Sequence, residues 1–281
     1  MKPLATLFYL LAAGLGALHV AYSSTVTGYH RAIAEYRSPS AVIDRTIDRT
    51  FELLTFGWYE APERGVDVGE ILNFSTIATA NAERTAIGFA LLSVIFLAIL
   101  AWTIRAGSTP GDRADKLNRF ALHTLGVALM CLGVGICAPL LTISATQDLP
   151  LLGEVVLSHE SKSILELIAG LSSDGDWFIA GLILLFSLLV PIAKLSLAVI
   201  ALIGKTTFAE RARSVAHHLG RWSMADVFVA AVLIAFLTAR KAPQTEAAIG
   251  TGLYFFAAHT LTAILSSQLM QSAEARIKRS T

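Results

Sequence analysis

Long apolar stretches separated by polar segments dominate the pattern of this chain. About 20 apolar residues cross the hydrocarbon core of a bilayer as a helix. Six stretches are interpreted as such spans, at 4–22, 84–104, 120–143, 176–204, 223–238 and 249–270. The pattern therefore predicts an all-α polytopic membrane protein with about six transmembrane helices. The first stretch also resembles the apolar region of a signal peptide, but its length and the lack of an A-x-A cleavage site favour a retained helix.

Two polar segments between the spans are long enough to form structure of their own. Residues 23–83 predict a small extramembrane unit, in which helical spacing runs from Ala41 to Leu54 with Ser40 as its N-cap. Residues 144–175 predict a short hairpin around Gly153, followed by a helix from Lys162 to Leu171. The third span is expected to run through Pro139 to Ile143, because a kink near the end of a membrane helix is tolerated.

The composition agrees with a membrane protein and excludes several function classes. Of the 281 residues, 54% are hydrophobic and only 15% are charged, whereas soluble domains contain about 25% charged residues. No basic patch with interleaved aromatic residues is present, so nucleic acid is not an expected partner. Cys131 and Cys137 lie six positions apart in one span and match neither a redox nor a zinc motif. No phosphate loop, nucleophile elbow or paired carboxylates are found, so neither an enzyme nor a cofactor is expected.

The charges of the short loops predict the orientation in the membrane. Basic residues concentrate in cytoplasmic loops of membrane proteins. Segment 105–119 has four basic residues, whereas 144–175 has Lys162 against five acids. Segment 205–221 and the tail 272–281 are also basic. Both termini and these basic segments are therefore expected in the cytoplasm, with 23–83 and 144–175 facing outward.

The fourth and fifth spans carry the polar residues that stand out most. Lys194 lies about 15 Å along the helix axis from Gly204, and Ser187, two helical turns earlier, is expected on the same face. Pro191 between them removes a backbone hydrogen bond and is expected to kink the helix. One interpretation is that Lys194 extends its ammonium group to the head groups. The other is that it faces the bundle interior, where it pairs or lines a wet cavity.

Asp226, at the start of the fifth span, is a candidate partner for Lys194. Ser223 and Asp226 also match a capping box, in which the acid favours the helix N-terminus. In the sixth span, His259 is either a proton relay or an interior histidine with satisfied hydrogen bonds. Thr262 is expected to bond a backbone carbonyl one turn back.

The two motifs around Lys194 and Asp226 resemble those of a known family. GDWFIAGLILLFSLLVPIAKLSL (175–197) followed by GRWSMADVFVAAVLIAF (220–236) is similar to the paraquat-inducible protein A family of bacterial inner-membrane proteins. APLLTIS (138–144) and SILELIAGL (163–171) also fit, so the resemblance covers about 119–271. The CxxC pairs that commonly precede the membrane units of this family are absent from this chain.

The resemblance implies a four-helix unit, over half of the chain, in the inner membrane. It also implies lipid transport beside proteins with mammalian-cell-entry (MCE) domains, which form lipid tunnels between the two bacterial membranes. The family's polar positions fall on Ser187, Lys194, Ser223, Asp226 and Thr262, which would line a pocket within the bundle. The expected organisation is a first helix at 1–22, a periplasmic unit at 23–83, a second helix at 84–104, the family domain at 119–271 and a cytoplasmic tail at 272–281.

The function expected from these observations is that of an inner-membrane component that passes lipid to or from an MCE-type partner. Two other functions are open. The first is a scaffold that supports envelope integrity under stress without transporting anything. The second is a proton-coupled exporter of small molecules, for which His259 and Asp226 are the relevant residues.

Overall fold

A computed structural model describes residues 2–56, 58–59, 68–105, 110–150, 153–204 and 245–280. The helices are α1 (Lys2–Tyr36), α2 (Pro39–Leu54), α3 (Val68–Arg105), α4 (Pro110–Cys137), α5 (Ile164–Ser173), α6 (Trp177–Leu184), α7 (Val190–Ile203) and α8 (Thr251–Ser280). The strands are β1 (Pro139–Leu149), β2 (Gly153–Ser163) and β3 (Thr245–Ile249). Within the described residues, five helical segments are long and apolar enough to cross a membrane. The expected polytopic helical fold is thus confirmed, with a small sheet added to it.

Helix α4 lies at the centre of the helix bundle. In its most apolar window 61% of the residues are buried, against 22% in α1 and 22% in α3. Its side chains enter two apolar clusters, one shared with α1 and α3 and the other with α5, α7 and α8. Small residues such as Gly135 and Ala128 allow close approach of neighbouring helices, which drives helix association in lipid. The outer faces of α1 and α3 carry exposed leucine and isoleucine side chains, as expected of surfaces in contact with lipid.

Two pairs of antiparallel helices build the bundle. In the first pair, α1 packs on α3, with Phe8 stacked on Phe96 and His19 bonded to Ala82. In the second pair, α4 packs on α8, with Ala121 bonded to Ser266 and Ala128 bonded to His259. His19 also bonds Thr251, the first residue of α8. The first residues of α1 and the last residues of α8 consequently lie at the same end of the bundle.

The sheet covers the other end of the bundle, which we call the sheet end. Its order is β2-β1-β3, and β1 pairs antiparallel with both neighbours. Gly153, where β2 begins after the turn, has φ 74°, a conformation that glycine adopts without strain. The predicted hairpin around Gly153 is confirmed, and so is the helix after it, which begins at Ile164 with a Ser163–Glu166 capping box. The third strand, β3, was not predicted.

Some predicted boundaries were wrong. The third span ends at Cys137 rather than Ile143, because Pro139 begins β1 and pairs opposite Ser163. The sixth begins at Thr251 and runs to Ser280, since 245–249 forms β3. The N-cap of α2 is Ser38, whose hydroxyl accepts a hydrogen bond from the Ala41 N–H, rather than Ser40. The predicted fifth span, 223–238, and the loop 205–221 lie outside the described residues.

The segment between the first two spans is mostly helical. Helix α1 continues to Tyr36 and α3 begins at Val68, so both extend well beyond the apolar stretches predicted for them. Helix α2 is amphipathic, and it lies between these two extensions in the chain. The polar segment is therefore built largely from continuations of membrane helices.

Candidate functional site

Lys194 on α7 and His259 on α8 lie within electrostatic range of each other. Lys194 on α7 is half-buried and near enough to His259 for the two side chains to interact electrostatically. The ring of His259 is buried, and its Nδ1–H donates to the carbonyl oxygen of Ala128 at 2.8 Å. Of the two interpretations of His259, this geometry favours an interior histidine whose hydrogen bond joins α8 to α4.

The hydroxyl group of Thr262 forms hydrogen bonds within its own helix, α8. Its Oγ1 donates to the carbonyl oxygens of Ala258 at 2.7 Å and His259 at 3.0 Å. This is the bond expected of a threonine in a membrane helix. Such bonding leaves the hydroxyl oxygen available as an acceptor, since a hydroxyl has two lone pairs.

A π-helical turn interrupts the fourth span just before Pro191. It covers Leu185–Leu189 and includes Ser187, and the N–H of Val190 bonds the carbonyl of Leu185, five residues back. Pro191 has no N–H, so it can bond neither the Ser187 carbonyl four residues back nor the Phe186 carbonyl five residues back. A π-turn takes more residues than an α-turn. We therefore expect Ser187 to be displaced sideways from the row on α7 that contains Lys194.

The remaining members of the predicted membrane pocket, Ser223 and Asp226, lie outside the described residues. The pairing of Lys194 with Asp226 is therefore still a prediction. Of the described members, Lys194 lies near α8, Ser187 lies in the π-helical turn, and Thr262 hydrogen-bonds within its own helix.

A second group of polar residues, which sequence reasoning did not single out, lies at the sheet end. His19 is completely buried there and joins three helices. Its Nδ1–H donates to the Ala82 carbonyl of α3 at 2.9 Å, and its Nε2 accepts a hydrogen bond from the Thr251 hydroxyl of α8 at 3.0 Å. Ser23 lies 3.4 Å from the same Nε2. This set of bonds forms the floor of a cavity.

The cavity has a volume of about 360 Å³ and lies between α1, α3 and the sheet. His30, seven positions beyond Ser23 on α1, and His159, whose ring lies 6.0 Å from that of His30, line the part that we call the upper part. Glu83 follows Ala82 on α3 and therefore lies near the floor. Hydroxyl groups from every side contribute to its wall, namely Ser23, Thr27, Thr79, Thr142, Ser144, Ser161 and Thr251. Val26, Ala82, Pro139 and Ala248 supply apolar surface. An apolar wall with a few convergent polar groups is the usual composition of a ligand pocket.

His159 is the cavity residue with an unsatisfied polar atom. Its Nδ1 lies 2.8 Å from the Ser144 hydroxyl across the β1–β2 pair, and its buried Nε2 has no hydrogen-bond partner among the described residues. Burial, together with the nearby charges of His30 and Arg31, lowers the pKa of His159 below its ordinary value. The ring is therefore neutral at pH 7, and when Ser144 donates to Nδ1, Nε2 carries the proton and can donate.

The described residues offer hydrogen bonds rather than metal coordination. No group of three or more His, Cys, Asp or Glu side chains within this part of the chain is arranged to hold a metal ion. Cys131 is buried and Cys137 is exposed, and both are free thiols. The arrangement as a whole can bind a small polar or amphiphilic group.

Sequence reasoning missed the sheet-end cavity for an identifiable reason. A histidine inside the first apolar stretch was a signal, because polar side chains within membrane spans are uncommon and often functional. Its partners Ala82 and Thr251 are 63 and 232 positions away. No local spacing relates positions so far apart in the chain.

In a comparison with protein families, residues 149–275 match the family described as Paraquat-inducible protein A. Comparison with curated proteins and with solved structures gives no match. The matched region contains β2, α5 to α7, β3 and most of α8, and therefore His159, Lys194 and His259. The α1 and α3 walls of the cavity lie outside it. The chain is thus a membrane protein whose residues 149–275 match the paraquat-inducible protein A family.

Proposed function

We propose that this protein is an inner-membrane component of an envelope lipid-trafficking system. It passes lipid to or from a partner of the MCE type. Both termini lie in the cytoplasm in this proposal, and the sheet end faces the periplasm, as the loop charges predict. The match of residues 149–275 to the family supports the proposal, since the lipid role is implied by the resemblance.

The position of Lys194 is the observation that carries the proposal. A lysine that only reached the head groups would extend along the lipid-exposed face of its helix. Lys194 is instead half-buried and close to α8. An ammonium group inside a membrane bundle is costly and usually serves a polar ligand or a partner charge. A lipid phosphate is a suitable ligand, with Ser187, Ser223 and Thr262 as further hydrogen-bonding groups and Asp226 as the alternative partner of the lysine.

The test replaces Lys194 with alanine and measures lipid that co-purifies with the protein by native mass spectrometry and lipid extraction. Ser196 lies two positions away on the exposed face of the same helix, so Ser196→Ala is the matched control. We expect Lys194→Ala to lose phospholipid that the wild type and Ser196→Ala retain. Equal lipid in all three proteins would contradict a role of Lys194 in lipid binding.

A scaffold without transport activity is the second candidate, and one observation favours it. Polar side chains inside the bundle bond other helices directly, as His259 and Ser266 of α8 do with α4. If Lys194 and Asp226 serve the same structural purpose, the double variant Lys194→Met/Asp226→Leu should complement a deletion strain fully. Loss of complementation by a folded double variant would rule against the scaffold.

A further inference from the structure

We infer that the sheet-end cavity binds the phosphodiester head group of a membrane phospholipid, at a site separate from Lys194. This inference rests on the proposed function in lipid trafficking and adds an outer binding site to it. The cavity is formed jointly by the family region and by α1 and α3, which lie outside that region.

The size of the cavity suits a head group. Pockets for small molecules have volumes of about 300–1,000 Å³, and this cavity, at about 360 Å³, is near the lower limit. It is too small to enclose two acyl chains as well. The chains of a bound lipid would therefore remain against the apolar outer surfaces of the helices.

The depth of the cavity also fits a phospholipid. Its wall on α1 begins at Ser23, directly after the apolar stretch 4–22, and continues to His30. Seven residues of helix extend about 10 Å. The head-group layer on one side of a bilayer is about 5–8 Å thick. The cavity therefore reaches from the membrane boundary to just beyond the head groups, which is where a lipid would pass to a partner.

The upper part of the cavity has the chemistry that an anionic phosphodiester requires. His159 Nε2 is buried and lacks a partner in the described part of the chain, so a phosphate oxygen would gain a bond that the free protein does not make. The ring of His30 lies 6.0 Å from that of His159, and Arg31 is near enough to act on His159 electrostatically. Glu83 lines the cavity directly after Ala82, the residue bonded by His19, and therefore lies near the floor. The upper part is consequently the end that favours an anion.

The test measures binding of phosphatidylglycerol to the full-length protein in detergent by native mass spectrometry. The proteins are the wild type, His159→Gln, Arg31→Gln and Lys194→Ala. Lys162→Gln is the charge-matched control, because Lys162 is paired with Glu160 at 3.0 Å and does not line the cavity. The soluble compound glycerophosphoglycerol is titrated in parallel to separate a membrane lipid from a free phosphodiester.

We expect the wild type to bind two lipid molecules. His159→Gln and Lys194→Ala should each bind one. Affinity at the outer site should fall about tenfold in His159→Gln, since one hydrogen bond to a charged group is lost. Arg31→Gln, whose side chain is exposed, should weaken binding about threefold through loss of one nearby charge. Lys162→Gln should bind like the wild type, and the soluble compound should bind far more weakly than the lipid.

Several results would overturn the inference. If His159→Gln and Arg31→Gln hold lipid like the wild type while Lys194→Ala loses it, the outer site is wrong and the proposed function stands. If none of the proteins binds lipid, both the outer site and the proposed function are wrong. Equal affinity for phosphatidylglycerol and for glycerophosphoglycerol would show that the cavity binds a soluble phosphodiester instead of a membrane lipid.

Discussion

Individual polar side chains join the helices of this bundle at defined positions. His19 bonds α3 and α8, His259 and Ser266 bond α4, and each bond is made to a backbone carbonyl or a hydroxyl of another helix. In lipid, helices gain little from the hydrophobic effect against one another, so packing and such hydrogen bonds decide their association. His19 makes the largest number of these bonds and is completely buried.

Replacement of His19 by leucine should destabilise the protein. The Ala82 carbonyl would keep the Thr85 hydroxyl but lose the His19 bond, and the Thr251 hydroxyl would lose its acceptor in a buried place. The loss of such a partner costs about 1–3 kcal/mol. Leu18→Ala is the neighbouring control, because Leu18 is 49% exposed on the outer face of α1. Thermal unfolding in detergent would measure the effect. An unchanged unfolding temperature for His19→Leu would show that His19 does not hold the three helices together.

Among the elements, the contact between α4 and α8 depends on small residues. At Gly135 a Cβ atom would lie 2.8 Å from the backbone nitrogen of Phe256, and at Gly252 it would lie 2.5 Å from the Ala138 carbonyl oxygen. Backbone atoms cannot move aside as a flexible side chain can. The two helices therefore approach this closely only because both positions are glycine. This contact fixes the first turn of α8 below β1, and with it Thr251 and the floor of the cavity.

Replacement of Gly135 by valine should separate α4 from α8 and lower stability by about 1–3 kcal/mol, the usual cost of overpacking. Gly133 on the same helix has no atom within 4 Å of its ideal Cβ position, so Gly133→Val controls for the helix propensity of valine. Unfolding temperature and the yield of monodisperse protein would be compared. Equal behaviour of the two variants would refute the importance of this close contact.

In the described part of the molecule, the sheet lies at one end of the bundle, and the start of α1 and the end of α8 lie at the other. In the described residues, α1, α4, and α8 cross between these ends once each, and so do α3 and the α6–α7 segment. The loop charges predict that the sheet end faces outward, since 105–119 and the tail are basic. The orientation decides which side of the membrane the sheet-end cavity faces.

Cysteine labelling of intact cells would test this orientation. In a background with Cys131 and Cys137 replaced by alanine, Glu160→Cys at the sheet end should react with a membrane-impermeant thiol reagent added outside. Asp115→Cys, near the start of α4, should react only after permeabilisation. Both positions are exposed, so accessibility rather than burial controls the reaction. The reverse pattern would place the sheet end in the cytoplasm.

The sequence by itself determined the features that depend on neighbouring residues. Apolar runs specify the membrane helices, Ser163 and Glu166 specify the start of α5, and Gly153 marks the hairpin, because each signal acts within a few positions of the chain. Boundaries were less secure where two local signals competed. Pro139 is compatible both with the end of a helix and with the start of a strand. It begins a strand because it pairs with Ser163 of β2.

The tertiary structure alone decided the features that join distant parts of the chain. Strand β3 consists of only five residues and owes its conformation to pairing with β1, about 100 positions earlier. Lys194 was visible in the sequence, but its approach to His259 depends on how α7 and α8 pack. The sheet-end cavity takes its wall from α1, α3, β1, β2 and the start of α8. Local patterns specify each of these elements separately, whereas helix packing and strand pairing bring their side chains together in one cavity.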